Sequence, residues 1–204
     1  RDHRRGVARG APVSAPAPPT SGPEGSPDGD ARVVRVEVPR TARLHVLGDP
    51  ARARTLWVAL HGYGQLAAYF VRPFAEARPD DACVVAPEAL SRFYLHGTGG
   101  PDARIGATWM TREDRLAEIA DYVRYLDRAL DAATEGLDLA AVPVGVLAFS
   151  QGAATGARWI AHRHQNGLAV PSRLVVWGGA LPHDFDLAGA DGDALRATRL
   201  TLVV

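Results

Sequence analysis

Lysine is absent from this chain. All 23 basic residues are arginine and 23 acidic residues balance them, so no face is obliged to carry the positive potential that grips nucleic acid. Cysteine is nearly absent. Cys83 stands alone, which excludes a disulfide within the chain, and its apolar run Ala82-Cys83-Val84-Val85-Ala86 predicts a buried strand thiol. No run of 18 apolar residues occurs, so no membrane span is expected. The first thirty residues also lack the apolar core of a secretory signal, and the expectation is a soluble, cytoplasmic protein. No metal pair is legible either: His162 and His164 lie two apart on a predicted helix and face different directions.

What is present is apolar bulk, unevenly distributed. The 204 residues are 47% hydrophobic, enough for one sizeable core. Residues 1–30 carry almost none of it, being Pro, Ala, Gly, Ser, Arg and Asp, and predict a disordered tail ahead of one domain over 31–204. From there Val34, Val36 and Val38 share a face, and Leu44, Val46 and Leu47 follow after Pro39-Arg40-Thr41, as in an antiparallel pair. Apolar runs then recur at Thr55 to Leu60, Ala82 to Ala86, Val144 to Phe149, Arg173 to Trp177 and Leu200 to Val204. Continuous rather than alternating apolarity marks strands buried on both faces, so the class is α/β with a mostly parallel sheet. Helices are expected over Gln65 to Arg78, from a Thr111–Asp114 capping box through Leu116, Ile119, Ala120, Val123, Leu126 and Leu130 to a stop at Gly136, and over Gly152 to Gln165.

One run ends in a serine beside glycine. Ala148-Phe149-Ser150-Gln151-Gly152 approximates G-x-S-x-G, in which small neighbours let a strand turn sharply into a helix and lift a hydroxyl to the sheet edge. Alanine stands at the first glycine position, and it too is small. The pattern reads as a nucleophile elbow with Ser150 as the nucleophile.

A second glycine pattern, Leu60-His61-Gly62-Tyr63-Gly64-Gln65, admits two readings. Gly62-x-Gly64-x-x-Ala67 fits a dinucleotide fingerprint, with Glu88 about 20 residues on as the ribose acid. Alternatively, the turn forms an oxyanion hole, with the Tyr63 N–H and the Gln151 N–H aimed at the carbonyl oxygen that gains charge when a serine attacks. The dinucleotide reading leaves Ser150 unexplained.

His61-Gly62-Tyr63-Gly64, the Ser150 pattern and Trp177-Gly178-Gly179-Ala180-Leu181-Pro182 together resemble the phospholipase/carboxylesterase family of the α/β-hydrolase superfamily, which includes acyl-protein thioesterases. The similarity runs from about Arg32 to the end. It implies an α/β-hydrolase fold and a cofactor-free serine esterase or thioesterase acting on a small-molecule substrate. It also implies an oxyanion loop after the third strand, a nucleophile after the fifth, and Trp109 and Met110 in the acyl-binding region. Strand counting makes Leu200 to Val204 the seventh strand, so the domain is expected to be C-terminally incomplete, with the triad acid and histidine beyond Val204. His183 and Asp184 read as an ordinary surface pair, His162 and His164 as solvated, and His61 as a structural member of its turn. A non-catalytic binding module of the same fold is the alternative, and a dinucleotide-dependent oxidoreductase a further one.

Overall fold

A computed structural model describes residues 32–135, 137 and 141–204, and its contacts divide the chain between Arg40 and Thr41. The expected tail and the expected helix stop at Gly136 lie outside the described residues. The described residues form strands β1 (Leu44–Leu47), β2 (Thr55–Leu60), β3 (Ala82–Pro87), β4 (Ser91–Tyr94), β5 (Ile105–Thr108), β6 (Val144–Phe149), β7 (Arg173–Trp177) and β8 (Arg199–Val203). The helices are α1 (Ala67–Phe70), α2 (Phe74–Ala77), α3 (Arg115–Ala133), α4 (Gln151–Gln165) and α5 (Ala190–Arg196).

Six strands make one sheet in the order β1-β3-β2-β6-β7-β8, parallel except for β1. The apolar runs of β2, β3 and β6 are buried from two sides, as double-faced packing requires, whereas every residue of β8 is exposed, against the expectation for Leu200 to Val204, because only β7 pairs with it. Val58, Leu60, Val146, Ala148, Leu174 and Val176 pack beneath α3 and α4 with Trp159 and Ile160. Ala59, Val84 and Ala86 point the other way, toward Ala67 and Phe70 of α1. Cys83 is fully buried in β3, and burial pushes its thiol pKa up.

Three sequence expectations change. Residues 32–40 form no strand, with Val34, Val36 and Val38 exposed, and β1 pairs antiparallel with β3 instead. All six β3 residues are buried, so its outer edge needs a partner for its N–H and C=O groups, and β1 supplies one. The strand count therefore falls by one within the large sheet: the His-Gly-Tyr-Gly loop follows its second strand in chain order and Ser150 its fourth. The Gln65 to Arg78 helix splits into α1 and α2 around Pro73, which lacks the N–H a continuous helix would need.

The third change is at the start of α3. Asp114 takes a left-handed conformation (φ 46°) and its side chain does not cap the helix. Glu118 reaches back instead, accepting from the Thr111 N–H at 2.6 Å. Val123, Leu126 and Leu130 are buried as expected and Ile119 packs against the same core, while Leu116 and Ala120 are exposed because they share the outward face of α3 with Arg124 at four-residue spacing. The ribbon of β4 and β5, paired Ser91↔Thr108 through Tyr94↔Ile105, and the short α5 carry no apolar run long enough to be read in advance.

Candidate active site

β6 ends at Phe149 and α4 begins at Gln151, so the single residue Ser150 makes the turn. Its backbone sits at φ 52° and ψ −116°, a region that costs a non-glycine residue about 1–3 kcal/mol. The surroundings impose that conformation. The Ser150 N–H donates to the Trp177 carbonyl at 2.9 Å, the Ser150 carbonyl accepts from Ala153 N–H at 3.0 Å, and Ala153 and Ala157 are fully buried against the sheet. The result is a half-buried serine at the carboxyl edge of a central strand, at the N-terminus of a 15-residue helix.

The His-Gly-Tyr-Gly loop lies against it because β2 and β6 are hydrogen-bonded neighbours with Leu60 opposite Ala148. A Cβ built on Gly62 would stand 2.9 Å from Phe149 Cδ1 and 3.1 Å from Ser150 Cβ, so the absence of a side chain lets the loop close tightly on this turn. The loop is tied internally: Gly62 N–H donates to Gln65 Oε1 at 2.8 Å, and Gly64 N–H to the Ala107 carbonyl at 2.9 Å. The Tyr63 ring is exposed and rests beside Phe93 of β4, with centroids 5.2 Å apart. The N–H of Gln151, first in α4, has no acceptor in its own helix, as for every first-turn donor.

His61 is fully buried. Nδ1 bonds the Gly62 carbonyl at 2.8 Å and Nε2 accepts from Ala89 N–H at 3.1 Å, which fixes the neutral tautomer protonated on Nδ1. Burial lowers its pKa, against opposing effects from the Gly62 carbonyl and Glu88. This histidine is a structural member of its turn, and among the described residues no histidine bonds the Ser150 hydroxyl.

Trp109 and Met110 follow β5 directly. The Trp109 side chain is 2% exposed: its indole donates to the His61 carbonyl at 2.8 Å and its ring meets Tyr122 edge-on. It therefore presents almost no surface to a ligand. Met110 is half-buried, and its carbonyl accepts from Gln151 Nε2 at 2.8 Å. No local pattern signals this use of the Gln151 side chain, because its partners lie about forty positions away.

Two carboxylates near this edge are already committed. Glu88 is buried and accepts from Arg43 Nε at 2.7 Å and Arg92 Nη1 at 3.1 Å. Burial alone would raise its pKa, but the bonds from the two arginines outweigh it and hold the carboxyl below the usual range. A fully buried acid is not placed to receive a ribose hydroxyl. Asp184 is more than the expected surface partner of His183: it binds Arg115 of α3 and Arg158 of α4, the latter at 2.7 Å, and so ties the loop after β7 to both helices. Its pKa falls, the arginine bonds overcoming desolvation. His183 and His164 are exposed, while His162 is half-buried beside Asp127 at 3.6 Å.

A cavity of about 310 Å³ lined by Pro143, Val144, Pro171 and Ser172 lies at the opposite, amino-terminal ends of β6 and β7. Its charged wall, Arg163, is spent on Asp127 and the Ala169 carbonyl. Among the described residues no three His, Cys, Asp or Glu side chains gather as metal ligands, and no helix is long and apolar enough to cross a membrane.

A mostly parallel sheet covered on both faces, with a strained serine at the carboxyl edge of a central strand, defines the α/β-hydrolase fold, and this chain has it. More closely, the fold is phospholipase/carboxylesterase-like. It is similar to the Zea mays acyl-protein thioesterase 2 structure (TM-score 0.51, 19% identity, covering 79% of this chain and 75% of that one). It is also similar to a phospholipase/carboxylesterase from Dyadobacter fermentans (TM-score 0.52, 13% identity, covering 82% and 88%) and to YahD solved with malic acid (TM-score 0.51, 13% identity, covering 79% and 87%). The sequence matches no protein-family model and no curated protein.

Proposed function

We propose that the protein is a serine hydrolase that cleaves carboxylic esters or thioesters through an acyl-enzyme on Ser150. The observation that carries this reading is the φ of 52° at Ser150, held at the end of β6 with Gly62 packed against it. Such strain in a non-glycine residue serves to present a side chain, and the hydroxyl is the only chemistry that this side chain offers. The acyl class is preferred because solved proteins of similar fold are named thioesterase and carboxylesterase.

In this mechanism Ser150 Oγ attacks the acyl carbon while a histidine takes the hydroxyl proton. The carbonyl electron pair moves onto oxygen, and the N–H groups of Tyr63 and Gln151 donate to the resulting oxyanion. Collapse expels an alcohol or thiol, which leaves with the proton from the imidazolium. Water then adds to the acyl-serine by the same route, releasing the acid and restoring Ser150. In this fold the triad runs Ser, acid, His along the chain, so both partners are proposed to follow β8 in the full-length protein. Trp109 serves as a buried anchor of the site and Met110 as part of its acyl-side wall. No cofactor is needed, and the lone buried Cys83 suits the reducing cytoplasm that this reading assigns.

The test is covalent labelling of the full-length protein with a fluorophosphonate. One equivalent bound to Ser150 and lost in Ser150→Ala is the expected result; labelling that persists in the variant rejects the nucleophile. A protein that neither labels nor hydrolyses any ester or thioester is the binding module instead.

A further inference from the structure

We propose that the Gln151 side chain and the Trp109 indole form a single strut that sets the spacing between the two oxyanion donors, the N–H groups of Gln151 and Tyr63. The inference rests on the serine reading above and adds positioning residues to it.

The amide of Gln151 is used in full. Nε2 donates to the Met110 carbonyl at 2.8 Å and to Thr108 Oγ1 at 3.0 Å, while Oε1 accepts from Trp109 N–H at 3.1 Å. The Trp109 N–H can only donate and the Met110 carbonyl can only accept, which fixes which way round the amide lies; the Thr108 hydroxyl donates to the Met110 carbonyl at 2.8 Å, closer than Gln151 Oε1 at 3.2 Å, and keeps a lone pair for Nε2. From Trp109 the path continues across the indole N–H to the His61 carbonyl at 2.8 Å. His61 is the residue before Gly62, and its own ring is locked by Gly62 and Ala89. The path runs from one donor's residue to His61, two residues before the other, with Thr108, Trp109 and His61 buried and Gln151 and Met110 half-buried.

The sheet does part of this job. The two donors emerge from adjacent strands, about 4.8 Å apart in any sheet, but strand pairing does not set loop positions to a fraction of an ångström. Catalytic geometry is that demanding, since a displacement of about 1 Å can cost about a hundredfold in rate. A side chain with three directional bonds, held by a buried indole, supplies the missing constraint. The Gln151→Ala change keeps the backbone donor and removes only the strut.

The experiment measures hydrolysis of p-nitrophenyl acetate by the full-length protein, with kcat expressed per serine titrated by fluorophosphonate so that unfolded material is not counted. Gln151→Ala and Trp109→Phe should each lower kcat by about ten- to a hundredfold with KM within about twofold, the pattern of a loss felt mainly in the transition state. The double variant should be no slower than the slower single, because a strut is broken only once. Gln151→Glu, which retains the acceptor for Trp109 N–H but turns an oxygen on the Met110 carbonyl, should resemble Gln151→Ala and serves where that variant does not fold. Unchanged kcat per titrated serine, or losses that multiply, overturns the strut. Wild-type label found away from Ser150 overturns the serine reading itself, and is seen before any variant is made.

Discussion

Gly152 Cα lies so close to Leu60 that an added Cβ would stand 2.4 Å from the Leu60 carbonyl oxygen. This contact sets how near the first turn of α4 comes to the end of β2, and so how near Ser150 comes to the Gly62 loop. The obstructing atom is backbone in a central strand and cannot swing aside. Gly152→Ala is expected to destabilise the fold by about 3 kcal/mol, at the upper end for overpacking, and to depress Ser150 labelling. Gly167→Ala is the control: it has open space around it and only a positive φ of 67° to strain, so it should cost about 1 kcal/mol. Thermal melts of both variants give the comparison.

Glu88 makes stability acid-sensitive. Its folded pKa lies below the ordinary 4.5, so the unfolded chain binds the proton more readily. Its contribution is complete above about 4.5 and is lost as pH falls through the lower folded value. Glu88→Gln leaves Arg43 and Arg92 without their shared carboxylate and should cost about 1–2 kcal/mol at neutral pH, less than for a fully buried pair because both arginines stay partly in water. Urea unfolding at a series of pH values should show a flatter acid limb in the variant.

His61 works in the same direction at higher pH. Its folded pKa is lowered from 6.5, so its contribution is complete above that value and is lost as pH falls below it toward the folded value. Protonation would remove the lone pair that accepts the Ala89 N–H. Nitrogen NMR of the native protein at pH 6.5 should find the ring neutral, with the proton on Nδ1; an imidazolium signal there would contradict the assignment.

Cys83 offers a direct readout of opening. Its side chain is fully buried in β3 and burial raises its pKa, which suppresses the thiolate that alkylating reagents attack. Iodoacetamide should modify it in the native protein only at the rate of unfolding, and rapidly in urea. Fast native labelling would show that β3 opens locally.

Legibility followed the range of the interaction. The β2, β3 and β6 runs are recognisable because strands buried on both faces must be continuously apolar, and the Ser150 and Gly62 turns because close approach of backbones requires small residues. The alternation of Val34, Val36 and Val38 does not become a strand, because alternation says only that a segment could pair, while pairing depends on which edge needs a partner. Asp184 passed as a surface residue beside His183, since nothing near it announces Arg115 or Arg158.

By itself, then, the sequence determined a parallel α/β sheet, the serine at a strand–helix turn and the glycine loop that belongs beside it, because each is written in periodicity or in residue size over a few positions. Tertiary structure alone decided that β1 closes the β3 edge, that Trp109 is an anchor and not an exposed contact, and that the Gln151 side chain reaches the segment after β5. Those outcomes are hydrogen bonds between groups about forty residues apart, and their partners are chosen only when the sheet has brought the loops of β2, β5 and β6 to one edge.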